Sequence, residues 1–521
     1  MMDLETLKTR VVRTGNGSPS AAYWAILLIG LLFAALGLLL VFTRRPWVDE
    51  AWFTGPGLDL ATRGKFGTLL LDPAGSHLRL NKIDAVLQGI NQHTYWVMPF
   101  HLIQLAAWGK LFGFGIFSVR MPSLLWGGIT LLSVGLIVRH LYPARPAALI
   151  AAGVLAVDFG FLNAASDARM DMTAAALGFA SISVYLSLRE RGFGRAAICA
   201  NALSALAVFT HPNGAFCAAG LLLTMLWLDW KHVLRPLSAV WIVAPYLLLG
   251  GLWSIYCSQA PPDFAAQFSA NAAARGSELR TPWLGVWREI DGRFRNHFFP
   301  EGGTAGKLKI LGLLVYLAAL ATLAASRRLR QESNCRLLLC LTLLQFLCLS
   351  VLAHTKNTYY IVYILPYFAA VTGIAVHFVW SSYGARVRIL CASALLAYLA
   401  VQWAAVLNLS LVTAGYRQDY APTVQYLKAN LQPGDLVMGA SELGYALGFY
   451  NPQVVDDVWL GHWTGRQPTM VVVDRWYYQQ VIDTATERGF PEPAYFDTVL
   501  RGFRLVHETN GYRVYRRINP L

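Results

Sequence analysis

Apolar stretches of about 20 residues, each long enough to cross a hydrocarbon core of roughly 30 Å, recur from Tyr23 to about Leu409 and are separated by short charged segments. This repetition decides the solvent, because a chain with 56% hydrophobic and only 14% charged residues cannot keep such stretches in water. The pattern predicts a mainly α, polytopic membrane protein of about eleven crossings. The first run, Tyr23 to Phe42, exceeds a signal-peptide core and meets no small-residue cleavage site before Arg44 and Arg45, so it is expected to remain as a helix.

A formal net charge of +14 raises the question of nucleic acid, but the basic residues are spread over many short loops instead of one face or tail. They report topology, and no nucleic-acid partner is expected. With Lys8, Arg10 and Arg13 inside, alternate loops carry Arg139/Arg145, Arg189/Arg191/Arg195, Lys231/Arg235, Arg327/Arg328/Arg330/Arg336 and Arg386/Arg388, as the positive-inside bias requires. This orientation predicts a bacterial inner membrane protein with a cytoplasmic N-terminus. The seven cysteines lie in or beside apolar runs without C-x-x-C spacing, which argues against a disulfide or zinc framework.

The remaining loops, placed outside, are longer and richer in carboxylates, His, Asn and aromatic residues. In the first of them, Tyr95–Phe112 is apolar enough to resemble another crossing, yet counting it would export every arginine-rich loop that follows. With His101, Gln104 and Lys110 among Trp96, Phe100, Trp108 and Phe112, it is expected to lie in the interface. Residues 1–410 therefore read as a membrane module and 411–521 as a small extracytoplasmic α/β domain. That domain has strand-like Leu436–Ala440 and Met470–Asp474, helix-like Glu442–Tyr450 and Tyr477–Arg488, and a final pair turning at Asn510-Gly511.

Three outward clusters carry chemistry. Asp49 and Glu50 follow the first crossing, where a dehydrated carboxylate can take a proton from an attacking hydroxyl. Asp167, Arg169 and Asp171 stand where another crossing begins; ionised groups there line a cavity or pair with each other. Lys356, in the segment His354–Tyr360, can hold a phosphate or serve as an interfacial anchor. His211-Pro212-Asn213-Gly214 and the basic-aromatic stretch Arg288–Phe299, with Arg293, are further polar outer sites.

Together these segments resemble the GT-C glycosyltransferases of the protein O-mannosyltransferase and lipid A aminoarabinose transferase type. The resemblance rests on Asp49-Glu50, the stretch Leu105–Gly127, Ala168–Met172, Thr210-His211-Pro212, and Lys356, Tyr360 and Pro366 in order. It implies transfer of a monosaccharide from a polyprenyl-phosphate donor to an extracytoplasmic acceptor, generally with inversion. It makes Asp49 the catalytic base with Glu50 supporting it, Asp171 a second acid of the cavity, and Lys356 a ligand of the donor phosphate. Lys82 and Arg293 are further phosphate candidates; His211, Tyr360 and Arg169 are candidate substrate contacts. His211 stands where some relatives have lysine, so the resemblance does not carry phosphate binding to it. No cofactor is firmly implied. A divalent cation near Asp49, Asp171 and His211 stays open, without a metal-ligand spacing to support it. Two other classes share the hydrophobic profile, a flippase of the lipid-linked sugar and a noncatalytic assembly protein. The carboxylates clustered near the outer surface favour the transferase over a transporter built around midplane sites.

Overall fold

The computed structural model describes residues 19–71, 85–275, 280–300, 306–457, 460–461, 464–474 and 498–518. Lys82, Asp84 and the expected helix Tyr477–Arg488 lie outside them.

The chain begins with α1 (Pro19–Thr43), apolar around its whole circumference, as a lipid-facing helix must be. It breaks at Arg44–Pro46 and turns into α2 (Val48–Arg63). Trp47 is extended at the N-cap, and its backbone N–H donates to Glu50 Oε2 at 2.9 Å, so Glu50 caps the helix that carries it. Gly64 ends α2 at φ +72°, in the left-handed region where a side chain is disfavoured. The interfacial segment follows as α3 (Pro99–Phe112), whose 14 residues give about 21 Å of helix, short for a bilayer.

The membrane bundle continues with α4 (Ile116–Leu141), the broken pair α5 (Arg145–Val157) and α6 (Phe159–Ala165), α7 (Met170–Leu188), α8 (Phe193–Val208), α9 (Gly214–Val233) and α10 (Pro236–Cys257). It ends with α11 (Ile310–Ala325), α12 (Ser333–Val351), α13 (Leu365–Ser382) and α14 (Ala385–Leu407). Among the described residues seven helices are long and apolar enough to cross a membrane, and the α5–α6 pair, bent by 66°, makes an eighth. Of the other bundle helices, α8 and α11 are apolar but short, and α9 carries Asp229 and Lys231 near its end. The bend has a local cause: Asp158 leaves the helix and accepts the Phe161 N–H at 3.0 Å, capping α6 anew. One hydrophobic core, with Phe161, Phe179, Tyr185, Leu337, Leu365 and Phe368 among its members, joins most of these helices.

Beyond α14 comes a five-stranded sheet of β1 (Val437–Met438), β2 (Val454–Val455), β3 (Met470–Asp474), β4 (Phe503–Glu508) and β5 (Tyr512–Arg517), in the order β2-β1-β3-β5-β4. The first three are parallel, and β5 runs antiparallel to β3 and β4. Both expected strands and the final hairpin are there, whereas Glu442–Tyr450 holds only a 3-10 turn (Ser441–Leu443) and a four-residue helix (Gly444–Leu447). The sheet does not build its core alone. Ala51 of α2 and Leu70 pack among Tyr420, Val437, Met470 and Val514. The Trp52 indole N–H donates to Ser441 and Asp456, and Arg45 pairs with Asp474 at 2.7 Å.

Glu442 lies buried in that seam, accepting the Tyr512 hydroxyl at 3.0 Å. Burial, reinforced by Asp474, pushes its carboxyl up to about 8. A carboxyl raised on folding holds its proton in the native state while the unfolded chain has lost it. Its contribution to stability is therefore full below the ordinary carboxylate range, falls as pH rises from there, and is fully lost above about 8. Glu442→Gln should remove this slope and raise the melting temperature, on the order of a few °C at pH 8 and above, with little change near pH 4.5. Parallel melting curves of the two proteins across that range would show it; a constant offset at every pH would refute it.

Candidate active site

Glu50, the second of the two adjacent carboxylates, is fully buried and accepts four hydrogen bonds. Two come from Arg120 (Nε and Nη2, both 2.7 Å), one from the Trp47 N–H, and one from the Ala168 N–H at 3.0 Å. Arg120 is equally buried, and its other N–H groups go to the carbonyls of Val41, Arg44 and Arg45 at 2.8, 3.1 and 2.9 Å. Burial would raise Glu50, but Arg120 and the backbone donor hold it below the ordinary carboxylate range. With its oxygens so engaged, Glu50 has no lone pair directed at a substrate. In place of the catalytic role expected from sequence, this geometry makes it a positioning residue that clamps α1, α2 and α4.

Asp49 faces the other way. Its carboxylate pairs with the Arg169 guanidinium, whose Nε donates to Asp171 at 2.9 Å. Asp171 sits in the first turn of α7, where helix N–H groups favour a carboxylate, and its Oδ1 is 3.8 Å from His211 Nε2. His211 Nδ1 accepts the Asn213 N–H at 3.0 Å, which leaves the ring proton on Nε2, toward Asp171. The His211 ring lies 5.2 Å from Tyr360, and the Arg293 guanidinium stands over the Tyr360 ring at 5.5 Å. Residues separated by more than 300 positions thus form one line across helix ends at one side of the bundle. Exposure separates their roles: 21% of the Asp49 side chain is accessible, against 5% for Arg169 and 1% for Asp171. Asp49 is the carboxylate that a substrate can reach.

Two expected phosphate ligands are otherwise engaged. Arg293 pairs with Glu289 and donates to the carbonyls of Asn357 and Thr355 at 2.9 and 3.2 Å, tying two loops together with no exposure. The Lys356 ammonium donates to the carbonyls of Leu349, Ser350 and Ala353 at 3.2, 2.6 and 2.7 Å and lies 3.4 Å from Glu289. It thereby caps the C-terminal end of α12, where a cation also meets the negative end of the helix dipole. Lys356→Met should therefore cost about 1.5–3 kcal/mol of stability, the range for hydrogen bonds to a charged group, and leave donor affinity unchanged. A folded Lys356→Met protein with weakened donor binding in a lipid titration would restore the phosphate role.

Sequence reading assigned no role to Arg44 or Tyr359 and no partner to Asp167. Arg44 donates to Asn163 O (2.9 Å), Ser166 Oγ (3.1 Å) and Tyr359 Oη (3.3 Å), and pairs with buried Asp167 at 3.4 Å. Burial, then the nearby Glu50 charge, pushes Asp167 up to about 8. Arg169 stacks over Tyr359 at 4.8 Å and Trp47 at 5.1 Å, so Tyr359 meets Arg169 on its ring face and Arg44 at its hydroxyl. One signal was available. Arg44 and Arg45 follow the first crossing at the end that the loop-charge bias assigns to the outside, and charged residues there need partners. Among the described residues, no group of three or more His, Cys, Asp or Glu converges in a metal-binding arrangement.

The bundle, the helix that turns along its surface after the first crossing, and the appended sheet give this chain a fold similar to that of solved GT-C glycosyltransferases. Residues 96–253, α3 through most of α10, match the family model of the dolichyl-phosphate-mannose-protein mannosyltransferases; the matched part holds Arg169, Asp171 and His211. Among solved structures, ArnT from Cupriavidus metallidurans bound to undecaprenyl phosphate is similar at 15% identity and a TM-score of 0.58, over 95% of this chain and 98% of that one. The oligosaccharyltransferase of Archaeoglobus fulgidus in complex with Zn and sulfate is similar at 13% identity and a TM-score of 0.52, over 95% and 73%. The archaeal oligosaccharyltransferase AglB from that organism, with an inhibitory peptide and a dolichol-phosphate, gives 13% identity and a TM-score of 0.50, over 88% and 70%. No curated protein shows a significant match to the chain.

Proposed function

We propose that this protein is a glycosyltransferase that moves a monosaccharide from a polyprenyl-phosphate donor to an extracytoplasmic acceptor, with inversion. The observation that carries the reading is Asp49, the accessible end of an otherwise buried Asp49–Arg169–Asp171–His211 line within a GT-C fold. ArnT, a structural neighbour, was crystallised with a lipid phosphate, which supports a donor of that class.

In the proposed reaction the acceptor oxygen bonds to the anomeric carbon as the carbon–oxygen bond to phosphate breaks. The acceptor proton goes to the Asp49 carboxylate, and the bonding pair leaves on the phosphate. Phosphate is a good leaving group that needs a cation more than an acid, and Arg169, with Arg44 across Tyr359, can supply the charge. Arg169 pairs with Asp49, so a donor phosphate that takes up Arg169 has to part the two. A phosphate that draws Arg169 to itself leaves the Asp49 oxygen able to take the acceptor proton. Asp171 and His211 hold Arg169 in register while this happens. Lys82, from the first outer loop, stays a candidate second ligand of the phosphate. The acceptor is a lipid, a glycan or a protein that brings its hydroxyl to Asp49.

Reconstitution in liposomes with a panel of polyprenyl-phosphate monosaccharides tests the reading, with release of polyprenyl phosphate and labelling of an acceptor as the expected result. Cysteines placed beside Asp49 should react with an impermeant reagent from the same side as the acceptor, and those at Arg191 and Arg328 from the opposite side. Donor that binds and crosses the bilayer without losing its sugar would make the protein a flippase instead.

A further inference from the structure

On the flank of the bundle away from the charged line, α1, α4 and α5 enclose an open groove of about 900 Å³. At the site end these helices close tightly, because a Cβ on Gly37 of α1 would collide with Leu124 of α4. Further along they part. A Cβ built on Gly30, Gly128 or Gly135, all lining the groove, would meet nothing within 4 Å. Glycines on membrane helices usually let two backbones approach; these three border empty space instead. The groove follows α4 from Met121 to Arg139, about 27 Å of helix axis, which is close to the thickness of a hydrocarbon core.

Its lining is apolar except at one end, where Arg139 at the close of α4 and Arg145 at the start of α5, joined by a short turn, both line it. Both are exposed, and neither has a carboxylate partner among the described residues. Tyr23, at the same end of α1, is an interfacial residue type. A long apolar channel with two cations at one end complements an amphiphile with an anionic head and a long chain. The geometry points to a binding site for an anionic glycerophospholipid, its phosphate on Arg139 and Arg145 and an acyl chain along α1 and α4. A polyprenyl phosphate at the proposed transfer site would have its head at the opposite end and would bring its apolar tail against the arginines. The groove is thus a second lipid site, drawn from the leaflet facing away from Asp49, and it does not depend on the transferase reading.

Native mass spectrometry of the full-length, delipidated protein in detergent tests this with phosphatidylglycerol and phosphatidylcholine of identical acyl chains. Phosphatidylglycerol should bind at least tenfold more tightly. The double variant R139A/R145A should lose roughly 30-fold of that affinity, the loss expected for two basic contacts to an anionic lipid. Gly128→Leu fills the groove where there is room, so it should fold normally by circular dichroism while weakening both lipids. Equal affinity for the two lipids, unchanged binding in the double variant, or displacement of phosphatidylglycerol by polyprenyl phosphate would each overturn the assignment.

Discussion

Asp49→Asn should lower sugar transfer by roughly the 10²–10⁴-fold typical of losing a general base, while donor binding survives. The substitution keeps the size of the side chain and removes only its basic charge. Asn can still accept a hydrogen bond from Arg169, so the guanidinium keeps its place between Trp47, Tyr359 and Asp171. Two assays on one folded preparation separate the effects: lipid titration for the donor and product formation for the transfer. Wild-type transfer by a folded, donor-binding Asp49→Asn protein would remove Asp49 from the chemistry. Asp171 would then be the next carboxylate to test, because Glu50 is committed to Arg120.

Glu50→Gln is expected to act on folding. The Gln amide turns a donor toward groups that already donate, and Arg120 is left as a buried charge without its counter-ion. Breaking a buried ion pair on one side costs about 3–5 kcal/mol. Because Arg120 also ties down the carbonyls at the end of α1, the loss should be felt where the first crossing meets α2. The double variant Glu50→Leu with Arg120→Met removes both charges and should be less damaged than either single one. Melting temperature and yield of monodisperse protein provide the measure. If Glu50→Gln melts as the wild type does and loses only activity, Glu50 belongs to the chemistry and not to the scaffold.

Much of this architecture was readable before any coordinates. Membrane helices declare themselves locally, since each must satisfy its backbone internally and show lipid an apolar surface, and both properties are written in about 20 consecutive residues. Strands β1, β3 and the β4–β5 hairpin follow in the same local way from short β-branched runs and the Asn510-Gly511 turn. Asp49, Arg169, Asp171, His211 and Tyr360 could be named from their segments.

Tertiary structure alone decided what each polar residue does, because a charge takes its role from whatever the fold sets beside it. Asp49 and Glu50 are adjacent in sequence, yet one turn of α2 gives the first a surface and an arginine shared with Asp171, and buries the second against Arg120. Lys356 and Arg293 read as phosphate ligands in a list of residues; the end of α12 and Glu289 occupy them in space. Arg44 and Arg45 carry no local pattern that names Asp167 and Asp474 as partners, which lie more than 100 and more than 400 positions away. The sequence by itself determined that the chain lives in a membrane and where its polar segments fall between the apolar runs. Folding determined which of those polar groups remained accessible, since desolvation forces nearly every buried charge into a pair and leaves Asp49 at the surface of the line.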